Sequence, residues 1–384
     1  MKIALLTEKY TPDIGGLAIS SERFARSLAS IGHETRVFAP TLNLPPSEKR
    51  TLPSNGVRVT RFGASKRVDD TLVDWFELIV EEHKREPFDI LHAYFLTQAG
   101  FVATYAGKYL NIPSVVSIRG NDIERASFDP SKFSHVMYAL QNASAVTANA
   151  TELVKKAKAF AEGREIHLIP NGIDSEHFKL MERNEVLADL LGLEGKRKEE
   201  RNTVVGFVGE LRKKKGMETL LLAYAQASKH QPITLLIVGE VRKGDDKKLF
   251  DEFQFANPDL NIVVTGYIPH NDLPSYYSLI DIFVHPSLRD GMPNALLEAM
   301  ACEKVIIATP VGGVLDVIQD DVNGILVKVN DADGLAEKMV EVLSQPEKRE
   351  QLGRSARETV LSRYTLENEL QANLKVYQRL GVIT

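Results

Sequence analysis

Two carboxylates flank the predicted start of a helix in the stretch His285–Ala301. A predicted strand runs into a loop here, and the helix should start near Pro293, since proline is well tolerated in a first helical turn. Asp290 precedes the helix and Glu298 lies about one turn inside it. A helix N-terminus offers unpaired N–H groups to a phosphate, so a bound phosphate would meet a carboxylate on each side. As isolated charges, however, Asp290 could be a helix cap and Glu298 a surface residue.

A run of four cations, Arg212 to Lys215, follows another predicted strand and the glycine that ends it, Gly209. A glycine at the carboxyl edge of an open α/β sheet lets a ligand approach the backbone. The cations could neutralise a diphosphate there, although a solvated charge run has the same composition. Their spacing does not match a P-loop, which argues against NTP hydrolysis.

Gly15 and Gly16 follow the first predicted strand and open a helix, where backbone N–H groups favour phosphate. A plain tight turn would also explain the pair. The G-x-G-x-x-G pattern is absent here, which argues against a hydride-transfer enzyme. His92 and Arg119 end two further strands, and Asp122 follows closely, but a lone histidine at a strand end is more often structural.

Asp331 and Asp333 form a D-x-D pair of the kind that binds metal in some enzymes. Here the pair precedes an amphipathic segment, so a helix cap is the simpler interpretation. The remaining His, Cys and acidic residues show no metal-ligand spacing, and we therefore expect no metal site.

Short apolar runs that alternate with amphipathic segments should position these residues. This alternation predicts βαβ units and parallel sheets in both halves of the chain. The boundary should lie near Ile169–Asp174, where proline and Asn-Gly break regular structure. We expect domains at residues 1–170 and 171–365, with a last helix, residues 366–384, on its own half or crossing back to the first. The predicted strands are Ile3–Leu6, Thr35–Phe38, Val57–Val59, Ile90–Ala93, Ser114–Ile118, Val204–Val208, Ile233–Val238, Ile262–Val264, Ile282–Val284 and Val305–Ala308.

Size and composition fit a two-domain globular protein of 384 residues. The formal charge of −5 gives no basic field for nucleic acid. The single cysteine, Cys302, fits a reducing compartment, and the N-terminal apolar run is too short for a signal peptide. We expect a cytoplasmic protein, with peripheral membrane contact and oligomeric state left open.

The chain resembles the glycosyl transferases group 1 of glycosyltransferase family 4 over essentially its whole length. The resemblance implies the GT-B fold, an α/β architecture of two Rossmann-like domains with parallel sheets that face each other across a cleft. It rests on Gly15-Gly16, Gly32-His33-Glu34, Asn171-Gly172-Ile173-Asp174, Lys215-Gly216, Asp272-Leu-Pro274-Ser-Tyr276-Tyr277 and the stretch that contains Asp290 and Glu298.

The resemblance also implies the substrates. The donor would be a nucleoside diphosphate sugar, UDP- or GDP-linked, with no cofactor or metal. The acceptor would be a hydroxyl of a glycan, a lipid-linked molecule or a small molecule, and the sugar's anomeric configuration would be retained.

The resemblance further implies a role for each site residue. Asp290, with the amides from Gly291 through Met292 and Pro293 to Asn294, would hold sugar hydroxyls. Glu298 would bind the ribose, and the backbone near Tyr267 and Ile268 the base. Arg212 and Lys215 would stabilise the departing diphosphate.

Three departures from the family pattern bear on these roles. Asp290 stands where relatives carry glutamate, and Glu210 stands where many carry arginine, with Arg212 two positions later. Arg119, which we count among the candidate catalytic residues, stands where many relatives carry histidine and cannot act as a base near neutral pH. A UDP-sugar epimerase of the GT-B fold is one alternative, against which the stretch with Asp290 and Glu298 argues. Asp290 in place of glutamate leaves open a second, a non-catalytic sugar-nucleotide-binding protein.

Overall fold

The computed structural model describes residues 1–124, 126–193 and 203–383. The charged stretch Glu194–Arg201, which we predicted to be an exposed loop, lies outside these ranges. Within them, no helix has the length and apolar composition needed to cross a membrane.

The chain forms two compact units. The first contains Met1–Gly172 together with the C-terminal segment that begins at Leu366, and the second contains Ile173–Thr365. At the point where the chain leaves the first unit, the Ile173 amide donates a hydrogen bond to the Tyr364 carbonyl (2.7 Å). The outgoing and returning segments therefore lie side by side at the edge of the second unit.

Eight strands of the first unit form one sheet: β1 (Lys2–Leu6), β2 (Glu34–Pro46), β3 (Lys49–Ser54), β4 (Val57–Gly63), β5 (Ile90–Ala93), β6 (Ser114–Ile118), β7 (Ala145–Ala148) and β8 (Ile166–Leu168). Their order is β3-β4-β2-β1-β5-β6-β7-β8, and only the β3–β4 pair is antiparallel. The central strand β1 is fully buried from Ile3 to Leu6, as expected for a parallel sheet covered on both faces.

Helices cover this sheet and bury two apolar clusters. One cluster contains Trp75, which packs against Phe62, and the other contains Phe24. The longer of these helices show an apolar stripe at helical spacing, which is the face that becomes buried. These helices are α1 (Gly16–Ser30), α2 (Val68–Arg85), α3 (Gln98–Leu110), α4 (Asn121–Glu124), α5 (Pro130–Asn142) and α6 (Thr151–Phe160).

The second unit has a six-stranded parallel sheet made of β9 (Thr203–Val208), β10 (Ile233–Val238), β11 (Ile262–Val264), β12 (Ile282–His285), β13 (Val305–Ala308) and β14 (Ile325–Leu326). The strand order is β11-β10-β9-β12-β13-β14. Because β9 and β12 are neighbours, the loops that follow them lie at the same edge of the sheet. Both units thus have the parallel, Rossmann-like architecture that the sequence predicted.

The helices of the second unit lie between and after these strands. They are α7 (Glu185–Leu190), α8 (Met217–Ala227), α9 (Asp245–Ala256), α10 (Leu273–Tyr277), α11 (Asn294–Ala301), α12 (Val314–Val317), α13 (Ala332–Leu343) and α14 (Pro346–Arg363). The last helix, α15 (Leu366–Arg379), returns to the first unit. Its residues Leu370, Val376 and Tyr377 are buried in the same cluster as Phe24.

The first unit contains strands that the sequence analysis missed. The predicted strand Thr35–Phe38 extends to Pro46, and β3 follows it. Prolines at positions 40, 45, 46 and 53 argued against strands in this region, because proline lacks the N–H that a sheet interior needs. Strand β7 was missed because Ala145–Ala148 carries two alanines and a threonine rather than large apolar residues.

Candidate active site

Glycines at the carboxyl edge of the second sheet bring two backbones close together. Gly209 follows β9 with φ 129°, and Gly239 follows β10 with φ 142°, both in the region that glycine favours. A Cβ atom on Gly239 would clash with the Gly209 carbonyl oxygen, whereas one on Gly209 would meet no heavy atom within 4 Å. Space therefore remains in front of Gly209, as a ligand that approaches the backbone would require.

The loop between β12 and α11 is fixed by a second pair of glycines. Gly313 donates a hydrogen bond to the Gly291 carbonyl (2.6 Å), and a Cβ atom on Gly312 would clash with the Asp290 carbonyl. Gly291, Met292 and Pro293 are buried. Pro293 occupies the cap position (φ −78°, ψ 114°), one residue before the helix rather than inside its first turn. The loop therefore holds Asp290 in one place at the sheet edge.

Asp290 is held by residues that are distant in sequence. Its Oδ2 atom accepts a hydrogen bond from Lys215 Nζ and lies 3.2 Å from His285 Nε2, while Oδ1 accepts from the Gly291 amide (3.1 Å). Burial raises the pKa of Asp290, but the neighbouring Lys215 and His285 outweigh this effect and hold the pKa well below its usual range. Asp290 is therefore an anion that already has a cationic partner.

The cations after β9 have different surroundings. Lys213–Lys215 form a 3₁₀ turn that ends at Gly216 (φ 76°), where a Cβ atom would clash with the Pro286 carbonyl. The Lys213 side chain is 73 % exposed and pairs with Glu218, whereas the Lys215 side chain is 23 % exposed and points to Asp290. A plain solvated charge run would leave the two lysines in equivalent surroundings. Their different surroundings therefore argue against that interpretation.

Arg212 forms an ion pair with Glu210, which stands where many relatives carry arginine. Its guanidinium lies 3.1 Å from the Glu210 carboxylate, and its buried Nε atom has no hydrogen-bond partner among the described residues. The role of Arg212 toward a diphosphate stays a prediction.

Glu298 is buried, so the surface alternative was wrong. Only 3 % of the residue is exposed; Oε1 lies 3.0 Å from His270 Nε2, and Oε2 accepts from the Tyr277 hydroxyl (2.9 Å). Burial, followed by the charge of Glu298, raises the pKa of Tyr277 well above its usual value, so the phenol remains a donor. Sequence reasoning assigned no role to His270 or Tyr277, although Tyr277 lies in one of the motifs that carry the family resemblance.

Tyr267 and Ile268 follow β11 and Gly266 (φ 74°) on the segment that leads to His270. Tyr267 is 54 % exposed, and Ile268 packs at the margin of the unit's core. The segment therefore joins the backbone that we expect to contact the nucleotide base to His270, whose side chain contacts Glu298.

The first unit carries the remaining candidates. Gly15 (φ 128°) caps α1, and a Cβ atom there would meet no heavy atom within 4 Å. Gly16 is the first residue of that helix. The preceding loop is tied to β4 by Arg61, which donates to the Asp13 carboxylate (3.0 Å) and to the Thr11 carbonyl (3.1 Å). Sequence reasoning missed Arg61, which no local motif marks.

Arg119 lies in a buried network of the first unit. Its Nη1 atom donates to Asn171 Oδ1 (2.7 Å) and lies 3.5 Å from Glu369, and the guanidinium stacks 3.7 Å from the centre of the Tyr94 ring. These contacts link β6 to α15, which is a structural role. The catalytic assignment of Arg119 stays a prediction.

Two other polar residues of the first unit have structural partners. His92 is fully buried between the Tyr377 hydroxyl (2.6 Å) and Ser117 Oγ (2.8 Å). Asp122 accepts hydrogen bonds from the amides of Leu96 and Gly120, and burial raises its pKa to about 6. The structural interpretation of His92 is confirmed by these contacts.

Asp331 caps α13, as the sequence indicated. Its carboxylate accepts a hydrogen bond from the Gly334 amide (2.8 Å). In the part of the chain that the structure describes, no group of three or more His, Cys, Asp or Glu side chains could hold a metal ion.

Two family models together match most of the chain. Glycosyltransferase Family 4 matches residues 14–177, and Glycosyl transferases group 1 matches residues 193–359. An uncharacterized glycosyltransferase of Methanocaldococcus jannaschii is 27 % identical, with 98 % of each chain covered. A GDP-mannose-dependent alpha-mannosyltransferase of Corynebacterium glutamicum is 26 % identical, with 86 % of this chain and 78 % of the relative covered.

Solved structures share the fold across both units. Anabaena HepE, in complex with UDP, matches with a TM-score of 0.81 at 19 % identity over 99 % of this chain and 100 % of its own. Sucrose-phosphate synthase from Thermosynechococcus elongatus matches with a TM-score of 0.80 at 20 % identity over 100 % of both chains. The chain therefore belongs to the group 1 glycosyltransferases of glycosyltransferase family 4 and has the GT-B fold.

Proposed function

We propose that the protein transfers a sugar from a nucleoside diphosphate sugar to a hydroxyl acceptor with retention of the anomeric configuration. The product would belong to a glycan, a polysaccharide or a glycolipid. The first unit would bind the acceptor, and the second the donor.

One observation carries this proposal most directly. Lys215 and Asp290 meet in the loops that follow two neighbouring strands, and Glu298 lies about one turn inside the helix α11 that follows Asp290. A cation beside a helix N-terminus suits a diphosphate, and carboxylates suit the hydroxyls on either side of it. A nucleotide sugar has these groups in order: sugar hydroxyls, which Asp290 would bind, a diphosphate, which Lys215 would bind, and a ribose, which Glu298 would bind.

Each carboxylate would then take one part of the donor. Glu298 is oriented by His270 and Tyr277, and carboxylate oxygens can each accept more than one hydrogen bond, so it can still accept from ribose hydroxyls. Asp290 would face the sugar hydroxyls, and the backbone of Tyr267 and Ile268 would contact the base. Since the Gly291 amide already donates to Asp290, it would serve the sugar only after that hydrogen bond breaks.

The chemical step needs no protein nucleophile. The bond between the anomeric carbon and the phosphate oxygen breaks, and a bond to the acceptor oxygen forms on the same face. The acceptor's proton passes to the departing phosphate oxygen. Lys215 would stabilise the negative charge that grows on the diphosphate, an electrostatic contribution that increases toward the transition state.

Related proteins support a nucleotide sugar and point to two bases. HepE has been solved with UDP and with UDP-glucose. The Corynebacterium glutamicum relative is GDP-mannose-dependent. We therefore propose UDP or GDP as the nucleotide, with ADP as the control.

Nucleotide binding tests the proposal without knowledge of the acceptor. We expect UDP or GDP to raise the melting temperature, because a ligand that binds only the folded state stabilises it by mass action. Calorimetry of UDP, GDP and ADP with the wild-type protein gives the affinity order directly. Absence of binding by all three would contradict the proposed function.

A further inference from the structure

Asp290 Oδ2 has two nitrogen neighbours. Lys215 Nζ binds this oxygen, and His285 Nε2 lies 3.2 Å away from it. Asp290 Oδ1 is occupied by the Gly291 amide. A movement of the Lys215 ammonium therefore changes the hydrogen bonding of Oδ2 before that of Oδ1.

His285 is a buried polar side chain that the proposed mechanism does not use. It ends β12, is 2 % exposed and stacks near Phe283, with ring centres 6.3 Å apart. Neither ring nitrogen completes a hydrogen bond of good geometry among the described residues, although Nε2 lies 3.2 Å from Asp290 Oδ2. Burial lowers the pKa of His285, so the ring is neutral near pH 7 and one nitrogen carries a hydrogen that it can donate. A buried donor without a partner is costly, so such a group in a native protein calls for an explanation.

If the Lys215 ammonium moves toward a diphosphate, its interaction with Asp290 Oδ2 weakens, because one positive charge is then shared between two anions. If the ammonium turns fully to the phosphates, Asp290 Oδ2 loses its cationic partner. Asp290 cannot follow, because Gly312 and Gly313 fix the loop that carries it. A partly buried carboxylate oxygen left without a partner would make donor binding less favourable.

We propose that His285 is a positioning residue that takes over Asp290 Oδ2 when Lys215 moves to the diphosphate. The Nε2–H group donates to the oxygen that Lys215 leaves, which needs a rotation of the ring or a small closure from 3.2 Å. Asp290 then stays in place for the sugar. The inference rests on the proposed function, since it requires a diphosphate at Lys215.

The exchange makes Asp290 a competitor of the nucleotide for Lys215. Asp290→Asn removes the competing charge, so the diphosphate should bind as tightly as in the wild type or more tightly. A nucleoside diphosphate lacks the sugar that Asp290 would hold. Its affinity therefore reports on Lys215 without the loss of sugar contacts.

Removal of the histidine should have the opposite effect. In His285→Leu or His285→Phe, release of Lys215 leaves Asp290 Oδ2 unsatisfied, and we expect about tenfold weaker binding of the diphosphate. His285→Gln keeps an N–H donor at a similar distance from the backbone and should retain most of the affinity. In the Asp290→Asn background, the loss caused by His285→Leu should disappear, because no carboxylate then needs a partner.

The experiment is calorimetric titration of the wild-type protein and these variants with UDP, GDP and ADP, with thermal denaturation to verify folding. The proposal predicts weaker binding in His285→Leu, recovery in His285→Gln and in the double variant, and no loss in Asp290→Asn. Wild-type affinity in His285→Leu, or an equal loss in the double variant, would overturn it. Weaker binding in Asp290→Asn would also overturn it, even if the histidine variants do not fold. If the wild type binds none of the three nucleotides, the proposed function fails and this inference fails with it.

Discussion

The carboxylate of Glu298 is oriented by two side chains before any ligand is present. His270 and Tyr277 each hold one of its oxygens, so the remaining lone pairs have fixed directions. Orientation of this kind lowers the entropy cost of binding a ribose. Glu298 thus has the environment of a binding group rather than that of a surface charge.

Glu298→Ala should therefore weaken donor binding. Loss of a charged hydrogen-bond partner should cost roughly 1.5–3 kcal/mol of binding free energy. The ribose contacts exist in the ground state and in the transition state alike, so kcat should change less than donor affinity. Calorimetry of the nucleoside diphosphate gives the dissociation constant. Glu303→Ala is the matched control, since Glu303 follows α11 and pairs with Arg357 (3.5 Å); an unchanged constant in Glu298→Ala would refute the ribose role.

Because the imidazole of His92 is buried, we expect the stability of the protein to depend on pH. Burial, reinforced by the charge of Arg119, lowers the pKa of His92 to about 3, whereas the unfolded chain should titrate near about 6.5. Between these two pKa values, the unfolded state binds more protons than the folded state. The contribution of His92 to stability is therefore fully present above the unfolded pKa and is lost as pH falls toward the folded pKa. This group alone should cost about 1.4 kcal/mol of unfolding free energy at pH 5.5 relative to neutral pH.

Urea denaturation of the wild type and His92→Gln checks this effect. The wild type should lose more stability than the variant between pH 7.5 and pH 5.5, by roughly the amount given by the linkage relation. Because other groups titrate in both proteins, the difference between the two slopes is the informative quantity. Parallel slopes would show that His92 does not keep a lowered pKa.

At the scale of elements, β4 positions the glycine loop before α1. Arg61 on β4 binds the Asp13 carboxylate and the carbonyls of Tyr10 and Thr11. The Asp13 carboxylate also accepts from the Tyr10 amide (3.1 Å). One guanidinium therefore closes the loop that leads to Gly15.

Arg61→Gln should loosen this loop without unfolding the first unit. Hydrogen exchange at the amides of Gly15 and neighbouring residues should become roughly tenfold faster, since a lost charged hydrogen bond favours local opening. Arg58→Gln is the control, because Arg58 lies on the same strand but pairs with Glu86 at a more exposed site. Equal exchange in both variants would mean that Arg61 does not hold the loop.

Most strands near the centre of each sheet were predictable, whereas β3, β7, β8 and β14 were not. Central strands such as β1 and β10 are continuous apolar runs because both faces are buried, and such runs are visible in the sequence. Edge strand β3 is exposed along most of its length and contains Pro53, which an edge tolerates. Its pairing with β4 depends on tertiary context, so no local pattern could indicate it.

The candidate site was predictable only in part, for a related reason. Glycines, a helix start and the charges at Lys215, Asp290 and Glu298 are local features that a sequence displays. The partners are not local: Lys215 and Asp290 are 75 residues apart and meet because β9 and β12 are adjacent in the sheet. Such contacts arise from strand order, which a single sequence does not specify.

For the whole molecule, we predict that activity survives chelation of metal ions. In the proposed mechanism, the charge of the diphosphate is met by Lys215 and Arg212, while Asp331 of the D-x-D pair caps α13. Turnover should therefore be the same in EDTA and after addition of Mg²⁺ or Mn²⁺. Complete loss of turnover in EDTA, with recovery when metal is added, would contradict this prediction.

The most direct test of the central claim is the rate of donor cleavage by Lys215→Ala beside Lys213→Ala. The assay measures release of the nucleoside diphosphate from the nucleotide sugar whose base binds best. Lys215 points to Asp290 at the start of α11, while Lys213 is largely exposed. If Lys215 stabilises the departing diphosphate, kcat should fall roughly 10²–10³-fold in Lys215→Ala, with a smaller loss of donor affinity, and should stay near the wild-type value in Lys213→Ala. Small and equal losses in both variants would contradict the account, because the loop would then act only as a surface charge run.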